Sequence, residues 1–358
     1  MPVDPLRPVS GSVAEVIAAT EAWLGAADEP APLVVETSGS TGRPKRVLLS
    51  RRAIRASGVA TAQHLGVEGQ WLLTLPATYV AGLQVVARSL AAGHAPVVLD
   101  EHPDLTAAVA AMAPGAPHLV SLVPTQLARL LDDLAATAAL AGFAAVLLGG
   151  GPIDPALRAR AEAAGVRVVA TYGSAETAGG CVYDGWPLAG VRLELEADGR
   201  VRVAGPTLFD GYADDPDLTA EVLVDGWFRT SDAGRFGPDG RLELLGRVDD
   251  VVVSGGVNVP GPAVARRLRE HPGLAAVEVL GADDPEWGRR VVAFVVPTAT
   301  AGTGAGSGAP TLDELRDWVA AAHPRAWAPR QLLVLEALPL LANGKTDRLA
   351  LLARAEQS

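Results

Sequence analysis

Several kinds of residue are scarce in this chain, and each scarcity excludes a class of protein. Cys181 is the single cysteine in 358 residues, which excludes an intramolecular disulfide and a cysteine-ligated metal site. Lys and Arg number 30 against 41 Asp and Glu, and a net charge of −11 argues against a broad basic face for nucleic acid. No apolar run approaches the roughly 20 residues that span a bilayer, and residues 1–12 lack the pattern of a secretory signal. We therefore expect a soluble, cytoplasmic protein.

Lysine is nearly as scarce as cysteine. Only Lys45 and Lys345 are lysine among the 30 cationic side chains, and all the others are arginine. An ammonium is a compact point charge on a thin stem, whereas a guanidinium is a wide planar fork. Both lysines follow glycine closely, in the sequences G-R-P-K and N-G-K. We therefore predict that each lysine has a role that arginine cannot fill.

Short apolar runs alternate with helical stretches in the first half of the chain, which is typical of βαβ units. The predicted strands are 33–36, 71–75, 95–99, 119–123, 145–148 and 167–171, and the predicted helices are 51–64, 80–92, 124–139 and 154–164. From about Val191 the pattern changes to short strands with tight turns, which is typical of hairpins. The sequence thus predicts a large N-terminal α/β domain, residues 1–247, that includes a β-rich subdomain.

A different, compact α+β pattern follows Arg247. Its predicted helices are 261–271 and 311–322, its predicted strands are 275–281, 290–297 and 331–336, and a Gly/Ala/Ser-rich flexible loop is predicted at 299–310. We predict that residues 248–358 form a small, mobile C-terminal domain. The fold class is therefore α/β, with this second domain appended.

A run of glycines and hydroxyl residues follows the first predicted strand. Glycines let the backbone curl so that its N–H groups point inward, hydroxyls add donors, and a lysine adds charge, which together make a cradle for polyphosphate. The spacing differs from the G-x-x-x-x-G-K-[ST] loop of kinases and GTPases. The predicted cradle comprises Thr37, Ser38, Gly39, Ser40, Thr41 and Lys45.

This run resembles the phosphate-binding loop of the adenylate-forming superfamily, which includes acyl-CoA synthetases, peptide-synthetase adenylation domains and luciferases. Four more motifs of that superfamily follow in the expected order. They are Y-G-S-A-E-T at 172–177, with Ala175 in place of the usual hydroxyl, T-S-D at 230–232, G-R-V-D-D at 246–250 followed by S-G-G-V-N, and N-G-K at 343–345. The resemblance implies an enzyme that uses ATP, Mg²⁺ and coenzyme A to activate a carboxylate as an acyl-AMP.

The resemblance also implies roles for single residues. Glu176 would hold Mg²⁺, since a carboxylate is a hard ligand, and Thr177 would bond phosphate oxygens. Lys345 would meet the charge that develops at the α-phosphorus. Asp232 would accept the ribose hydroxyls and Arg247 would donate to ribose or phosphate oxygens. The adenine would lie against Tyr172, Gly173 and the glycines Gly149, Gly150 and Gly151. The alternatives are core packing for Tyr172, a turn cap for Asp232 and a surface acid for Glu176.

Within the superfamily, residues 75–84, 121–126, 148–152 and 254–259 resemble the compact actinobacterial o-succinylbenzoate–CoA ligases of menaquinone synthesis. Most relatives carry a longer region before the phosphate loop, so the resemblance is to a shortened form. It implies an acyl pocket lined by Tyr79, Val80, Gly82 and Leu83. Arg88 is a candidate partner for the second carboxylate, although a solvated helix cation is the favoured interpretation.

The resemblance further implies a hinge at Asp249, where rotation would carry Lys345 away after adenylation, and a coenzyme A contact at Gly255 and Gly256. Two other enzyme classes stay open, another aryl-acid–CoA ligase and a stand-alone adenylation enzyme that loads a carrier protein. A non-catalytic adenylate-binding protein is disfavoured by the intact motifs. Cys181 is interpreted as structural, no histidine spacing suggests a metal site, and a homo-oligomer is left open.

Overall fold

The structure, a computed structural model, describes residues 9–37, 44–248, 251–298, 309–341 and 346–357. It divides into two compact units. The N-terminal unit comprises Met1–Glu194, Arg202–Thr230 and Phe236–Leu242, and the C-terminal unit comprises Leu195–Val201, Ser231–Arg235 and Glu243–Ser358. The domain boundary between residues 247 and 248 stays a prediction.

A seven-stranded sheet forms the centre of the N-terminal unit, in the strand order β4-β3-β5-β6-β7-β8-β9. The first nine strands of the chain are β1 (Leu33–Thr37), β2 (Lys45–Leu49), β3 (Gln70–Leu73), β4 (Val97–Val98), β5 (His118–Leu122), β6 (Ala145–Leu148), β7 (Val168–Ser174), β8 (Gly179–Tyr183) and β9 (Trp186–Pro187). Strands β3 to β7 pair in parallel, and β8 and then β9 extend the sheet beyond β7 in antiparallel pairing. Strand β6 is buried along its whole length, as a central parallel strand must be.

The N-terminal unit also contains several helices. They include α1 (Val13–Gly25), α2 (Arg51–Leu65), α3 (Val80–Ala91), α4 (Leu105–Ala110), α5 (Pro124–Leu131), α6 (Leu134–Ala141), α7 (Pro155–Ala163) and α8 (Pro216–Val222). The helix predicted over 124–139 is wrong, because the chain forms two helices there. The Asp133 carboxylate accepts hydrogen bonds from the backbone N–H groups of Ala135 and Ala136, which starts α6 as a separate helix.

A second, three-stranded sheet determines the position of the predicted phosphate loop. Strand β2 pairs antiparallel with β1 on one side, with Thr37 opposite Lys45. After β10 (Arg192–Leu195) and β11 (Arg200–Ala204), strand β12 (Gly211–Tyr212) pairs antiparallel with β2 on its other side. Tyr212 lies opposite Val47 in this pairing. The sheet thus places residues from the 210s beside the start of β2.

The predicted β-rich segment is present between Arg192 and Arg247. Its later strands are β13 (Leu223–Val224), β14 (Trp227–Phe236) and β15 (Leu242–Arg247). Residues of β10, β11, β14 and β15 are divided between the two units. The short strands that the sequence predicts from about Val191 are confirmed, beginning with β10 and β11.

An α+β fold forms the C-terminal unit. Its elements include β16 (Val251–Ser254), β17 (Val257–Pro260), α9 (Gly261–Arg269), β18 (Leu274–Asp284), β19 (Gly288–Pro297), α10 (Leu312–Ala320), β20 (Gln331–Val334) and α11 (Arg348–Glu356). The strand order is β17-β16-β19-β18, and β20 pairs in parallel with β19. Both faces of the long hairpin β18–β19 carry apolar side chains, and each face lies in a separate buried cluster. The predicted α+β composition is confirmed, whereas helix α11 was not predicted.

Within the described ranges, no helix combines the length and apolar character that a bilayer crossing requires. Of the flexible loop predicted at 299–310, residues 299–308 lie outside the described residues.

Candidate active site

Part of the predicted site lies outside the described residues. This applies to Ser38, Gly39, Ser40, Thr41, Asp249 and Lys345. The two ends of the phosphate loop are described, and they face each other across the β1–β2 pairing as Thr37 and Lys45. The pairing therefore holds Thr37 and Lys45 next to each other.

The structure brings together Lys45, Glu176 and a residue that the motifs did not indicate, Tyr212. The Tyr212 hydroxyl donates a hydrogen bond of 2.8 Å to Oε1 of Glu176. Nζ of Lys45 lies over the same ring, 5.1 Å from its centre. Glu176 and Tyr212 are 9% and 6% exposed, so both are withdrawn from water. The interpretation of Glu176 as a solvated surface acid is therefore wrong.

Tyr212 is held from several sides. The edge of the Phe209 ring faces it at 5.0 Å between centres, and its backbone N–H donates to Oγ1 of Thr219 at 2.9 Å. The backbone N–H of Phe209 donates to the carbonyl of Glu176 at 2.9 Å, which ties the same segment to the Glu176 turn. Burial, and then the neighbouring Glu176 carboxylate, raise the pKa of Tyr212 well above its ordinary value. The phenol therefore stays protonated and keeps its role as donor.

A short 3₁₀ turn, Ala175–Thr177, presents Glu176 directly after β7. Oγ1 of Thr177 accepts a hydrogen bond of 2.9 Å from the backbone N–H of Ser174 and donates to the carbonyl of Gly179 at 2.7 Å. The hydroxyl of Thr177 thus holds the turn itself. Its assignment to a phosphate oxygen stays a prediction.

The predicted adenine residues meet at the carboxyl ends of two neighbouring parallel strands. Gly149, Gly150 and Gly151 directly follow β6, and Tyr172 lies near the end of β7. The two strands pair in parallel, with Leu148 opposite Ala170. Tyr172 is half-buried, and Gly150 and Gly151 are exposed. A Cβ on Gly173 would collide with the backbone of Gly179, so glycine is required where β7 meets β8. Ligands of open α/β sheets bind at this end of the strands.

The predicted acyl-pocket residues surround the start of helix α3, and they differ in burial. Tyr79 and Val80 are half-buried, whereas Leu83 is completely buried and belongs to the core. A Cβ on Gly82 would collide with the carbonyl of Pro76, so this glycine allows the close approach of the preceding loop. Packing alone explains Gly82 and Leu83.

The favoured interpretation of Arg88 as a solvated cation is wrong. The residue is 8% exposed, because it lies on the face of α3 that packs towards α2 and β3. Its Nη2 donates to Oγ of Ser57 at 3.2 Å, and its guanidinium carbon lies 5.5 Å from the centre of the Trp71 ring. Nε is buried without a hydrogen-bond partner in the described part of the chain. No ion pair of Arg88 is found among the described residues.

The remaining predicted residues belong to the C-terminal unit. Asp232 lies in β14 and Arg247 ends β15, and both are half-buried. Gly255 and Gly256 form the turn between β16 and β17, with φ of 57° and 77°. A Cβ on Gly255 would lie 2.5 Å from the Trp287 ring. The tight turn explains both glycines, and their contact with coenzyme A stays a prediction.

The donor set is consistent with magnesium held mainly by substrate phosphates. Mg²⁺ is typically bound by one or two carboxylates, phosphate oxygens and water, rather than by a cage of protein ligands. Glu176 supplies one such carboxylate. In the parts of the chain that the structure describes, no group of three or more acidic, histidine or cysteine side chains could hold a metal.

Comparison with protein families identifies the class. Residues 26–213 match the model of the AMP-binding enzyme family, and residues 264–345 match the AMP-binding enzyme C-terminal domain. The chain therefore belongs to the AMP-binding enzymes.

Individual relatives are more specific. The chain is 44% identical over 336 residues to a "Probable 2-succinylbenzoate–CoA ligase" of Mycobacterium tuberculosis. The aligned region covers 91% of this chain and 85% of that one. It resembles the o-succinylbenzoate CoA synthetase MenE of Bacillus subtilis, solved in complex with the acyl-adenylate intermediate OSB-AMP. That match has a TM-score of 0.75 and 27% identity over 89% of this chain and 68% of that one. MenE was also solved with ATP and magnesium ion. The amide bond synthetase McbA of Marinactinospora thermotolerans matches with a TM-score of 0.78 and 29% identity, over 90% of this chain and 68% of that one.

Proposed function

We propose that this chain is an ATP-dependent o-succinylbenzoate–CoA ligase of menaquinone synthesis. It would convert the acid and ATP into an acyl-AMP with release of pyrophosphate, and then transfer the acyl group to coenzyme A with release of AMP. The observation that carries the proposal is the 44% identity to the Mycobacterium tuberculosis ligase over 85% of that protein. The adenylate-forming fold and the paired Lys45 and Glu176 around Tyr212 support the ATP chemistry.

For the nucleotide, the two oppositely charged residues that contact Tyr212 would have separate roles. The Lys45 ammonium would contact phosphate oxygens, together with Thr37 and the hydroxyls of residues 38–41. The Glu176 carboxylate would hold Mg²⁺, as expected from the complex of MenE with ATP and magnesium. Bound Mg²⁺ would neutralise charge on the phosphates. Tyr172 and Gly149–Gly151 would bind adenine, and Asp232 and Arg247 would bind the ribose.

For the acid, Arg88 is the proposed partner of the carboxylate that is not activated. Arginine is almost never buried unless its charge is paired, and a buried cation without a counter-charge is costly. Arg88 has a hydroxyl and an indole ring as described neighbours, and no described carboxylate within ion-pair distance. o-Succinylbenzoate has two carboxylates, so one can react while the other supplies this charge. Tyr79 and Val80 are half-buried at the start of α3, and Arg88 lies in its last turn.

The two half-reactions are assigned to residues of the C-terminal segment. Lys345 would stabilise the charge that develops during adenylation, Asp249 would act as the hinge between the two half-reactions, and Gly255 and Gly256 would contact coenzyme A. A cytoplasmic location agrees with the supply of ATP and coenzyme A. Both the location and a homo-oligomeric state stay predictions.

A substrate screen tests the proposal. Pyrophosphate release is measured with ATP, Mg²⁺ and, in turn, o-succinylbenzoate, benzoate, short fatty acids and amino acids, and the thioester is identified by mass. o-Succinylbenzoate is expected to give the highest kcat/KM and its coenzyme A thioester. A higher kcat/KM for any other acid would overturn the substrate. Transfer to a carrier protein or an amine instead of coenzyme A would overturn the second half-reaction.

A further inference from the structure

Tyr212 is a buried polar residue that none of the recognised motifs contains. It lies in a two-residue strand that pairs with Val47 and Leu48 of β2, the strand that follows the phosphate loop. Its hydroxyl contacts the Glu176 carboxylate and its ring lies beneath the Lys45 ammonium. One side chain therefore contacts two of the charged residues that the proposed function assigns to the nucleotide, Lys45 and Glu176.

The hydrogen bond to Glu176 is of a strong kind. A phenol that donates to a carboxylate forms a charge-assisted bond, roughly twice as strong as one between neutral groups. Because Glu176 is only 9% exposed, its charged form needs such a donor in place of water. The bond engages Oε1 and restrains the carboxylate. The other oxygen, Oε2, is not part of this bond.

We propose that Tyr212 is a positioning residue for the Mg²⁺–ATP complex, which acts by holding the Glu176 carboxylate in place through this hydrogen bond. This inference rests on the proposed role of Glu176 in the function above. Tyr212 itself touches neither the acid nor the reacting phosphorus in this proposal. The ring also supports the Lys45 ammonium, which keeps the cation close to the same nucleotide.

The test measures binding rather than turnover. Calorimetry gives the affinity for ATP with Mg²⁺ and with EDTA, and the ratio of the two is the factor by which Mg²⁺ tightens ATP binding. Tyr212→Phe retains the ring, its contact with Phe209 and its position under Lys45, and removes only the hydroxyl. A hydrogen bond to a charged group contributes about 1.5 kcal/mol, so the factor is expected to fall about tenfold.

Two further variants make the result specific. Tyr183→Phe is the matched control, because Tyr183 is completely buried in the same unit and its hydroxyl lies 3.0 Å from that of Thr61, in a separate hydrogen bond. Its Mg²⁺ factor is expected to equal that of the wild type. Glu176→Gln removes the carboxylate charge to which the Tyr212 hydroxyl donates its hydrogen bond. Tyr212→Phe in that background is expected to leave the factor unchanged, because both changes act through one carboxylate.

An unchanged Mg²⁺ factor in Tyr212→Phe, with only a lower unfolding temperature, would leave Tyr212 a packing residue and overturn the proposal. An equal fall in the Glu176→Gln background would overturn it too, since Tyr212 would then act by another route. Nucleotide binding needs no acid substrate. If o-succinylbenzoate is not converted, the substrate assignment fails while this measurement still decides the role of Tyr212.

Discussion

Arg88 and Trp71 form a buried cation–π pair, with the guanidinium carbon 5.5 Å from the centre of the indole ring. Helix α3 carries the arginine and strand β3 carries the tryptophan, so the contact joins two elements of the same unit. The arrangement holds a positive charge inside the unit with a single described hydrogen bond, to Ser57. Among the described residues, no carboxylate forms an ion pair with this buried cation.

Arg88→Met is expected to lower kcat/KM for o-succinylbenzoate about a hundredfold. Loss of one partner from a buried charge pair costs about 3 kcal/mol, and each tenfold change corresponds to about 1.4 kcal/mol. Steady-state kinetics with o-succinylbenzoate and with benzoate, which has a single carboxylate, measures the effect. The small activity with benzoate is expected to change little. Arg129→Met, at an exposed position of α5, is the control. Equal losses with both acids would rule out a contact with the second carboxylate.

Glu176→Gln is expected to lower Mg²⁺-dependent turnover by about 100-fold or more and to leave the fold intact. The amide retains the shape and can still bond Tyr212, but it lacks the charge that a hard cation requires. Pyrophosphate release over a Mg²⁺ titration measures the change, and thermal unfolding checks the fold. Glu68→Gln alters an exposed carboxylate and serves as control. An unaltered Mg²⁺ titration would reject the metal role.

Lys345→Ala is expected to lower acyl-AMP formation by about 100-fold or more and to spare thioester formation from supplied acyl-AMP. The lysine is assigned only to the charge that develops at the α-phosphorus, and removal of one such electrostatic contact typically costs 10²–10³ in rate. Single-turnover reactions begun from ATP and from synthetic acyl-AMP separate the two steps. Equal loss in both reactions would show that Lys345 is not specific to adenylation.

Asp249→Pro is expected to have the opposite effect. Proline fixes φ near −65°, which restricts a backbone pivot, so transfer to coenzyme A should slow while acyl-AMP formation changes little. The same two single-turnover reactions measure it. Asp249→Ala, which leaves φ free, is the matched control and should retain both steps. Slow adenylation in the proline variant would contradict a hinge that serves only the second step.

Gly255→Ala and Gly256→Ala form a matched pair for the turn between β16 and β17. Both glycines have positive φ, which costs any L side chain about 1 kcal/mol. A Cβ at 255 also lies 2.5 Å from the Trp287 ring, whereas a Cβ at 256 meets nothing within 4 Å. Gly255→Ala should therefore lower the free energy of unfolding by about 1–3 kcal/mol more than Gly256→Ala, since overpacking adds to the backbone cost. Chemical denaturation of both variants gives the difference, and equal losses would show that the ring moves freely aside.

Local patterns predicted the strands and helices because each depends on a short stretch of chain. The strand at 145–148 was predicted at its observed bounds, since four consecutive apolar residues between turns fit a buried parallel strand. The single helix over 124–139 failed because Asp133 caps a new helix. The predicted strands at 275–281 and 290–297 were too short, because pairing in a hairpin extends strands beyond their apolar centres.

The sequence by itself determined the class of this protein. Five motifs in a fixed order, and two lysines kept among arginines, indicated an enzyme that binds ATP and named most of the proposed site. The tertiary structure decided that Arg88 is buried and that Tyr212 joins Glu176 to Lys45. Neither could be predicted locally, because burial depends on which helix face meets the sheet. The position of Tyr212 depends on the pairing of β12 with β2, two strands that are far apart in the chain. The periodicity of the sequence does not indicate such a pairing, because it reflects only neighbouring residues.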